Sequence, residues 1–170
     1  LIPAISLWFF TARSISKAET EALTRLQDSA RQIAETIDRN LFERYGDVQA
    51  FSLNAAVHDQ TLWYQPDGPL TTVLNGYAHT YDIYTLLMVV DLEGRVIAVN
   101  SENRDGKPID TRWIYETSQK DAAWFQALQK GQFTTKARHS ASGNGTLTGT
   151  FVEDFHLDQM VKRAYPDSTG

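Results

Sequence analysis

Leu23, Leu26, Ala30, Ile33, Ile37, Leu41, Tyr45 and Val48 recur at intervals of three and four residues, with Glu21, Arg25, Arg31, Glu35, Asp38 and Arg39 falling mostly between them. That period is the signature of an amphipathic helix. From Ser14 to about Leu53 no Pro occurs and the first Gly is Gly46, so the pattern predicts one helix of nearly forty residues. Such a length exceeds the usual globular helix and points to a stalk or a dimer seam, with packing against the chain's own sheet as the alternative.

Ahead of it stand ten almost wholly apolar residues, Leu1-Ile2-Pro3-Ala4-Ile5-Ser6-Leu7-Trp8-Phe9-Phe10, then Thr11, Ala12 and Arg13. A membrane-spanning helix takes about 20 apolar residues. Residues 1–13 are therefore read as the end of a truncated transmembrane helix, with Trp8, Phe9 and Phe10 at the interface that aromatic rings favour. A signal-peptide remnant and a packed soluble helix compete with this reading. Arg13 and Lys17 argue for a cytoplasmic side beyond the run, a bias that Glu19 and Glu21 dilute.

Past the helix the rhythm changes. Asp59 to Tyr64 reads as a short turn, Gln65-Pro66-Asp67-Gly68-Pro69 as a loop, and Leu70 to Ala78 as a short helix. Tyr84 to Asp91 is β-branched, aromatic and apolar, a strand whose near-continuous apolarity predicts a central position. Leu92-Glu93-Gly94-Arg95 turns the chain, Gly94 supplying positive φ, and Val96 to Ser101 returns as the partner strand. Asn103 to Pro108 is a loop. Helical pieces follow at Thr111–Thr117 and Asp121–Lys130, the second capped by Asp121 and stopped by Gly131. Phe133 to His139 and Thr150 to Glu153 read as extended, around a flexible Ser140–Gly145 excursion. The chain ends on Ser168-Thr169-Gly170, a turn with no closing strand, so the sheet is expected to be incomplete at the C-terminus.

Composition narrows the function classes. The absence of cysteine among 170 residues excludes disulfides, thiolate metal sites and thiol catalysis. A net charge of −5 disfavours a nucleic-acid partner. Hydrophobic residues at 42% suffice for a core. No His-Glu-x-x-His, Gly-x-Ser-x-Gly or nucleophile–base signature occurs, which argues against an enzyme, and no cofactor motif is present. Ser101-x-Asn103-x-Asp105-Gly106 has the look of half a calcium loop, but Arg112 stands where a bidentate Glu is required. Glu153, Asp154, His156 and Asp158 gather potential ligands, yet one short segment rarely completes a coordination shell, so a solvated edge is the preferred reading and no metal is assigned. Asn144-Gly145-Thr146 fits a glycosylation sequon but reads as turn chemistry.

A small-molecule pocket suits the remaining polar and aromatic residues better. Such pockets have apolar walls and a few placed polar groups. Trp113, Tyr115, Trp124 and Phe125 are candidate walls; Arg138, His139 and Asp154 are candidate partners in charge-assisted hydrogen bonds. Arg138 suits a carboxylate and Asp154 an amine, so an anionic or zwitterionic ligand is expected. Aromatic core packing is the bland alternative for each ring.

The order of these parts resembles a known family. A long helix, the turn Asp91-Leu92-Glu93-Gly94-Arg95 between two strands, and Asp121-Ala122-Ala123-Trp124-Phe125 on the following helix are similar to the Cache sensor domains of bacterial chemoreceptors and sensor kinases. Arg44-Tyr45-Gly46-Asp47-Val48-Gln49-Ala50-Phe51 is most similar to methyl-accepting chemotaxis proteins with a double Cache domain. The resemblance spans roughly residues 15–170 and implies a PAS-like antiparallel sheet with the Trp-aromatic pair capping a ligand pocket. Two departures stand out: Ala122 replaces an Arg of the amino-acid-sensing members, and Phe125 replaces a Tyr. Amino-acid specificity is therefore not carried over.

The resulting expectation is a mixed α/β (α+β) chain: residues 1–13 from a membrane helix, 14–54 a stalk or signalling helix, and 55–170 an incomplete PAS-like sensor module. Its expected role is extracytoplasmic sensing of a small metabolite (an amino acid, organic acid or amine) by an inner-membrane receptor, as a homodimer signalling through the membrane. The input domain of a sensor histidine kinase or cyclic-dinucleotide enzyme and a ligand-free structural stalk are the alternatives.

Overall fold

The long helical period folds as a single helix, α1, Ile2–Ser52, in a computed structural model of the chain. The structure describes residues 2–136, 149–154 and 156–166, with residues 2–16 and Lys136 described by their backbone alone. α1 is not interrupted at Gly46. One glycine in a helix interior costs only about 1 kcal/mol relative to alanine, too little to stop a helix of this length. Among the described residues no helix is long and apolar enough to cross a membrane.

The chain divides into two units, Leu1–Gly46 and Asp47–Gly170. In the first, Leu23, Leu26, Ile33 and Ile37 are each more than half exposed. Lys17 and Glu21 pair across one turn at 3.9 Å. An exposed pair of that kind contributes only a few tenths of a kcal/mol.

The second unit is built on a hairpin. β1, Met88–Val90, pairs antiparallel with β2, Val96–Val99, setting Met88 opposite Val99 and Val90 opposite Val96, with an irregularity between Val89 and Val90. The sequence predicts the first strand as the central one. The structure reverses this: all four residues of β2 are at most 2% exposed, whereas β1 is half-buried. The reason is on the far edge of β2, where the Tyr64 N–H donates to the Ile97 carbonyl at 3.0 Å. The first strand is also shorter than the run Tyr84–Asp91: the Leu87 carbonyl still accepts from the Asn100 N–H at 3.0 Å, but the Leu87 N–H turns to the Asn100 side chain at 2.7 Å.

Two apolar groups enclose β2. Leu70 and Leu74 of α3, Pro69–Tyr81, pack with Ile97 and Ala98. Pro69 sits at the first helical turn, where a missing N–H removes no helix bond. Val96 and Val99 pack with Ile114 of a 3-10 turn, Arg112–Glu116, and with Met160. Met160 belongs to a helix that the sequence pattern does not predict, capped by Asp158. A short helix α2, Ala55–His58, and a 3-10 turn, Gln60–Leu62, lead into the loop before α3.

α4, Ala123–Gln129, begins one residue later than Asp121 as N-cap would set it. The chain bridges Ser118 to Arg95 and then turns, with Ala122 N–H donating to the Gln119 carbonyl at 3.0 Å, so Asp121 lies inside that turn and Ala122 holds the cap position without a side-chain bond. Gly131, at φ +68°, follows the end of α4 as expected. Of the strand expected over Phe133–His139, Thr135–Lys136 forms β3 and pairs with β4, Gly149–Thr150; positions 137–139 and the Ser140–Gly145 excursion lie outside the described residues. The last helix, α5, is Gln159–Ala164. The architecture is α+β, a long N-terminal helix with small two-stranded antiparallel sheets.

Gly94 is required twice over. Its φ is +85°, and a Cβ there would stand 2.7 Å from the Lys120 amide nitrogen. Gly94→Ala is expected to destabilise the chain by about 2 kcal/mol, read as a lower urea midpoint at unchanged slope.

Candidate functional site

The tip of the hairpin is locked by one carboxylate. Asp91 is 6% exposed. Its Oδ1 accepts from the Glu93 and Arg95 N–H groups at 2.9 and 2.8 Å, and its Oδ2 accepts from Arg95 Nε at 2.7 Å and the Tyr64 hydroxyl at 2.5 Å. Burial pushes the Asp91 carboxyl up, but the bonds from Tyr64 and from the Arg95 and Glu93 N–H groups outweigh it and hold the group below its ordinary range. The same bond from Tyr64 to Asp91 raises the Tyr64 hydroxyl, and the bond to Asp91 raises Arg95. The Arg95 guanidinium also lies 5.0 Å from the centre of the Tyr64 ring. Tyr64 takes part from a left-handed backbone, at φ +58°.

The open end of the hairpin is tied by amides. Asn100, fully buried, accepts from Leu87 N–H at 2.7 Å and donates through Nδ2 to the carbonyls of Glu102 at 2.9 Å and Thr85 at 3.4 Å. Asn75 of α3 accepts from the Ser101 and Glu102 N–H groups at 2.8 and 3.2 Å. These bonds place two loops side by side. Between them opens a cleft of about 340 Å³, lined by Asp82, Ile83, Tyr84 and Thr85, by Asn103 and Arg104, and by Tyr165. Tyr165 donates its hydroxyl to the Thr85 carbonyl at 2.8 Å, and burial raises its pKa. Arg104 Nε and Asp82 Oδ1 face each other at 3.5 Å.

The wall of this cleft reaches the end of the long helix. Tyr84 donates to the Asp47 carboxylate at 2.7 Å. Its ring meets Phe51 edge-on, with centroids 5.6 Å apart. Phe51 in turn stacks on Tyr77 of α3 at 4.1 Å, and Tyr77 accepts from the Asn54 side chain at 2.8 Å. Thus the final turns of α1 that belong to the second unit, Asp47–Ser52, are fastened to α3 and to the segment before β1.

The residues singled out from sequence are not gathered in one place. Trp113 packs against the Val96–Ile114 core group, donates Nε1 to the Asp110 carbonyl at 2.9 Å, and is covered by the Arg163 guanidinium at 3.9 Å from the ring centre. Tyr115 borders the same group; its hydroxyl shares a 3.0 Å hydrogen bond with Thr71 and accepts from Val99 N–H at 3.3 Å. Both rings serve the core. Trp124 and Phe125 pair edge-on at 5.7 Å on α4, Trp124 half-buried and Phe125 buried. Asp154 is exposed. Arg138 and His139 lie outside the described residues. In the acidic segment Asp158 accepts from Met160 and Val161 N–H to cap α5, and His156 Nδ1 contacts the Asp154 carbonyl at 3.0 Å. Among the described residues no group of three potential ligands is arranged to hold a metal ion.

Compared with models of protein families, with curated proteins and with solved structures, the chain matches none. The cleft residues carry no motif, since they come from three distant segments that only the folded hairpin brings together. Asp82 ends α3 in a left-handed conformation, φ +56°, which its neighbours in the sequence do not announce.

The lowered Asp91 pKa gives a stability contribution that is present above its unfolded value of about 3.9 and is lost as pH falls through the folded value. Asp91→Asn is expected to melt lower than wild type at pH 7, with the gap closing below about pH 4. A gap that stays constant down to acid pH would show that the carboxylate charge is not what holds the turn.

Proposed function

We propose that the chain is the extracytoplasmic ligand-sensing region of a bacterial transmembrane chemoreceptor, carried on the inner membrane through its N-terminal helix, with a Cache-like, PAS-type module after it. What supports this reading is the shared wall: Tyr84 lines the cleft and at the same time bonds Asp47 and abuts Phe51 in the last turns of α1. A ligand that moves Tyr84 necessarily moves a group bonded to the long helix. Interior packing responds to such shifts in discrete steps, so a small displacement at the cleft becomes an axial or rotational change along α1.

The hairpin adds to this reading, because its Asp91–Gly94 turn and the Trp124–Phe125 pair carry the family resemblance. In this reading the exposed stripe of α1 meets a second copy in a homodimer, where each buried Leu or Ile contributes about 1.5–3 kcal/mol. The module binds a small metabolite and performs no chemistry on it.

A thermal-shift panel of amino acids, organic acids and amines on the whole chain tests the reading. At least one compound at about 100 times its Kd is expected to stabilise by about 2.7 kcal/mol, a rise in Tm of roughly 5–10 °C. A panel in which no compound raises Tm would leave a structural stalk as the better account.

A further inference from the structure

We propose that Met160 is a site of reversible oxidation: a peroxide converts its thioether to the sulfoxide, and the change loosens α5 and with it the Tyr165 wall of the cleft. This input is separate from any ligand that the cleft binds.

The attachment of α5 makes one sulfur decisive. Among the described residues no backbone hydrogen bond joins α5 to another helix or to a strand; the bonds at its ends run to Asp158 and Val161, within the same segment. Side chains hold it instead. Met160 packs on Val96, Val99 and Ile114. The Arg163 guanidinium lies over the Trp113 ring at 3.9 Å, Ala164 is buried, and the Tyr165 hydroxyl donates to the Thr85 carbonyl at 2.8 Å. Tyr165 in turn lines the cleft, so whatever frees α5 also alters that wall.

The sulfur is reachable and has a partner waiting. Met160 is half-buried, so a small oxidant meets it without global unfolding. Gln119 Nε2 points at its Sδ from 3.8 Å. Gln119 is itself 5% exposed and fixed, with Nε2 also donating to the Thr117 hydroxyl at 2.9 Å and its backbone N–H to the Gly94 carbonyl at 2.7 Å. A thioether is a weak acceptor, whereas a sulfoxide is polar and carries a strong one. Oxidation therefore turns the side chain from three apolar neighbours toward a fixed amide donor. The other methionine, Met88, borders the same core group but lies in β1, opposite Val99 in the ladder. A paired strand opens less readily than a six-residue helix held by side chains, so Met88 reacts second.

The chemistry is a two-electron transfer. A sulfur lone pair attacks one oxygen of hydrogen peroxide; the S–O bond forms, the O–O bond breaks, and the other oxygen leaves as water with both protons. Sulfur gives up the two electrons that the peroxide takes. Methionine sulfoxide reductases, drawing on a thiol, reverse the step.

Brief hydrogen peroxide treatment of the whole chain, followed by peptide mass spectrometry and backbone amide exchange, tests the proposal. Met160 is expected to gain one oxygen at least about threefold faster than Met88, and residues 161–165 to exchange at least about tenfold faster once it has, with β2 unchanged. Reductases A and B together are expected to restore the slower exchange. Met160→Leu, close in volume, keeps the packing and removes the sulfur, so peroxide should leave residues 161–165 as they were. Met88 reacting first or equally fast overturns the proposal. So does exchange in α5 that is unchanged by the oxygen on Met160, that stays fast after reduction, or that rises equally in Met160→Leu. Amides of α5 already unprotected before oxidation overturn it too, because the helix would then not be docked.

Discussion

Asn100 makes both loops of the cleft parts of one structure. Its amide is fully buried, and its hydrogen bonds run to Leu87, Thr85 and Glu102, while its backbone carbonyl accepts from Thr111 at 2.8 Å. A buried amide left without partners costs about 1–3 kcal/mol, and an apolar replacement here would orphan groups on both strands' extensions. The chain therefore holds the segment before β1 and the segment after β2 at a fixed separation. Asp91 does the same at the other end of the hairpin, where four donors converge on one carboxylate. The cleft is what lies between two segments positioned in this way.

The second consequence concerns the long helix. Helices in proteins are stabilised mostly by packing of one face, and along the 51-residue α1 residues 17–43 are exposed, so the packing is found at its C-terminal end. In the second unit that packing is aromatic: Phe51 against Tyr77, Tyr81 and Tyr84. Aromatic pairs add about 0.5–1.5 kcal/mol each beyond the area they bury. The hydrogen bonds of Tyr84 to Asp47 and of Asn54 to Tyr77 give the contact a definite register. A cleft wall fastened in this way to the end of α1 is displaced with it.

Much of this was legible in the sequence. The three-and-four period marked α1, the stretch Leu70–Ala78 marked all but the ends of α3 (whose first residue, Pro69, reads as loop), and Gly94 between apolar runs marked the hairpin turn. Each is a local signal carried by neighbours in the chain. What was not legible depends on distant partners. The burial of β2 over β1 follows from Tyr64 pairing with Ile97, which no periodicity records. Asp158 read as part of an acidic cluster because a six-residue helix has too few turns to show a period, yet its carboxylate is a helix cap. Trp113 and Tyr115 read as ligand walls; both pack against the Val96–Ile114 core group, Arg163 lies over the Trp113 ring, and neither lines the cleft. Asp82, Arg104 and Tyr165 were missed because nothing in their spacing joins them.

The coupling of cleft to helix can be measured without any ligand. Tyr84→Phe keeps the ring against Phe51 and removes only the hydroxyl bonded to Asp47. Backbone amide exchange across residues 47–53 should then accelerate by about tenfold, the loss of roughly 1.4 kcal/mol of local protection, while exchange in α3 and β2 stays as in wild type. Unchanged exchange across residues 47–53 would contradict the account.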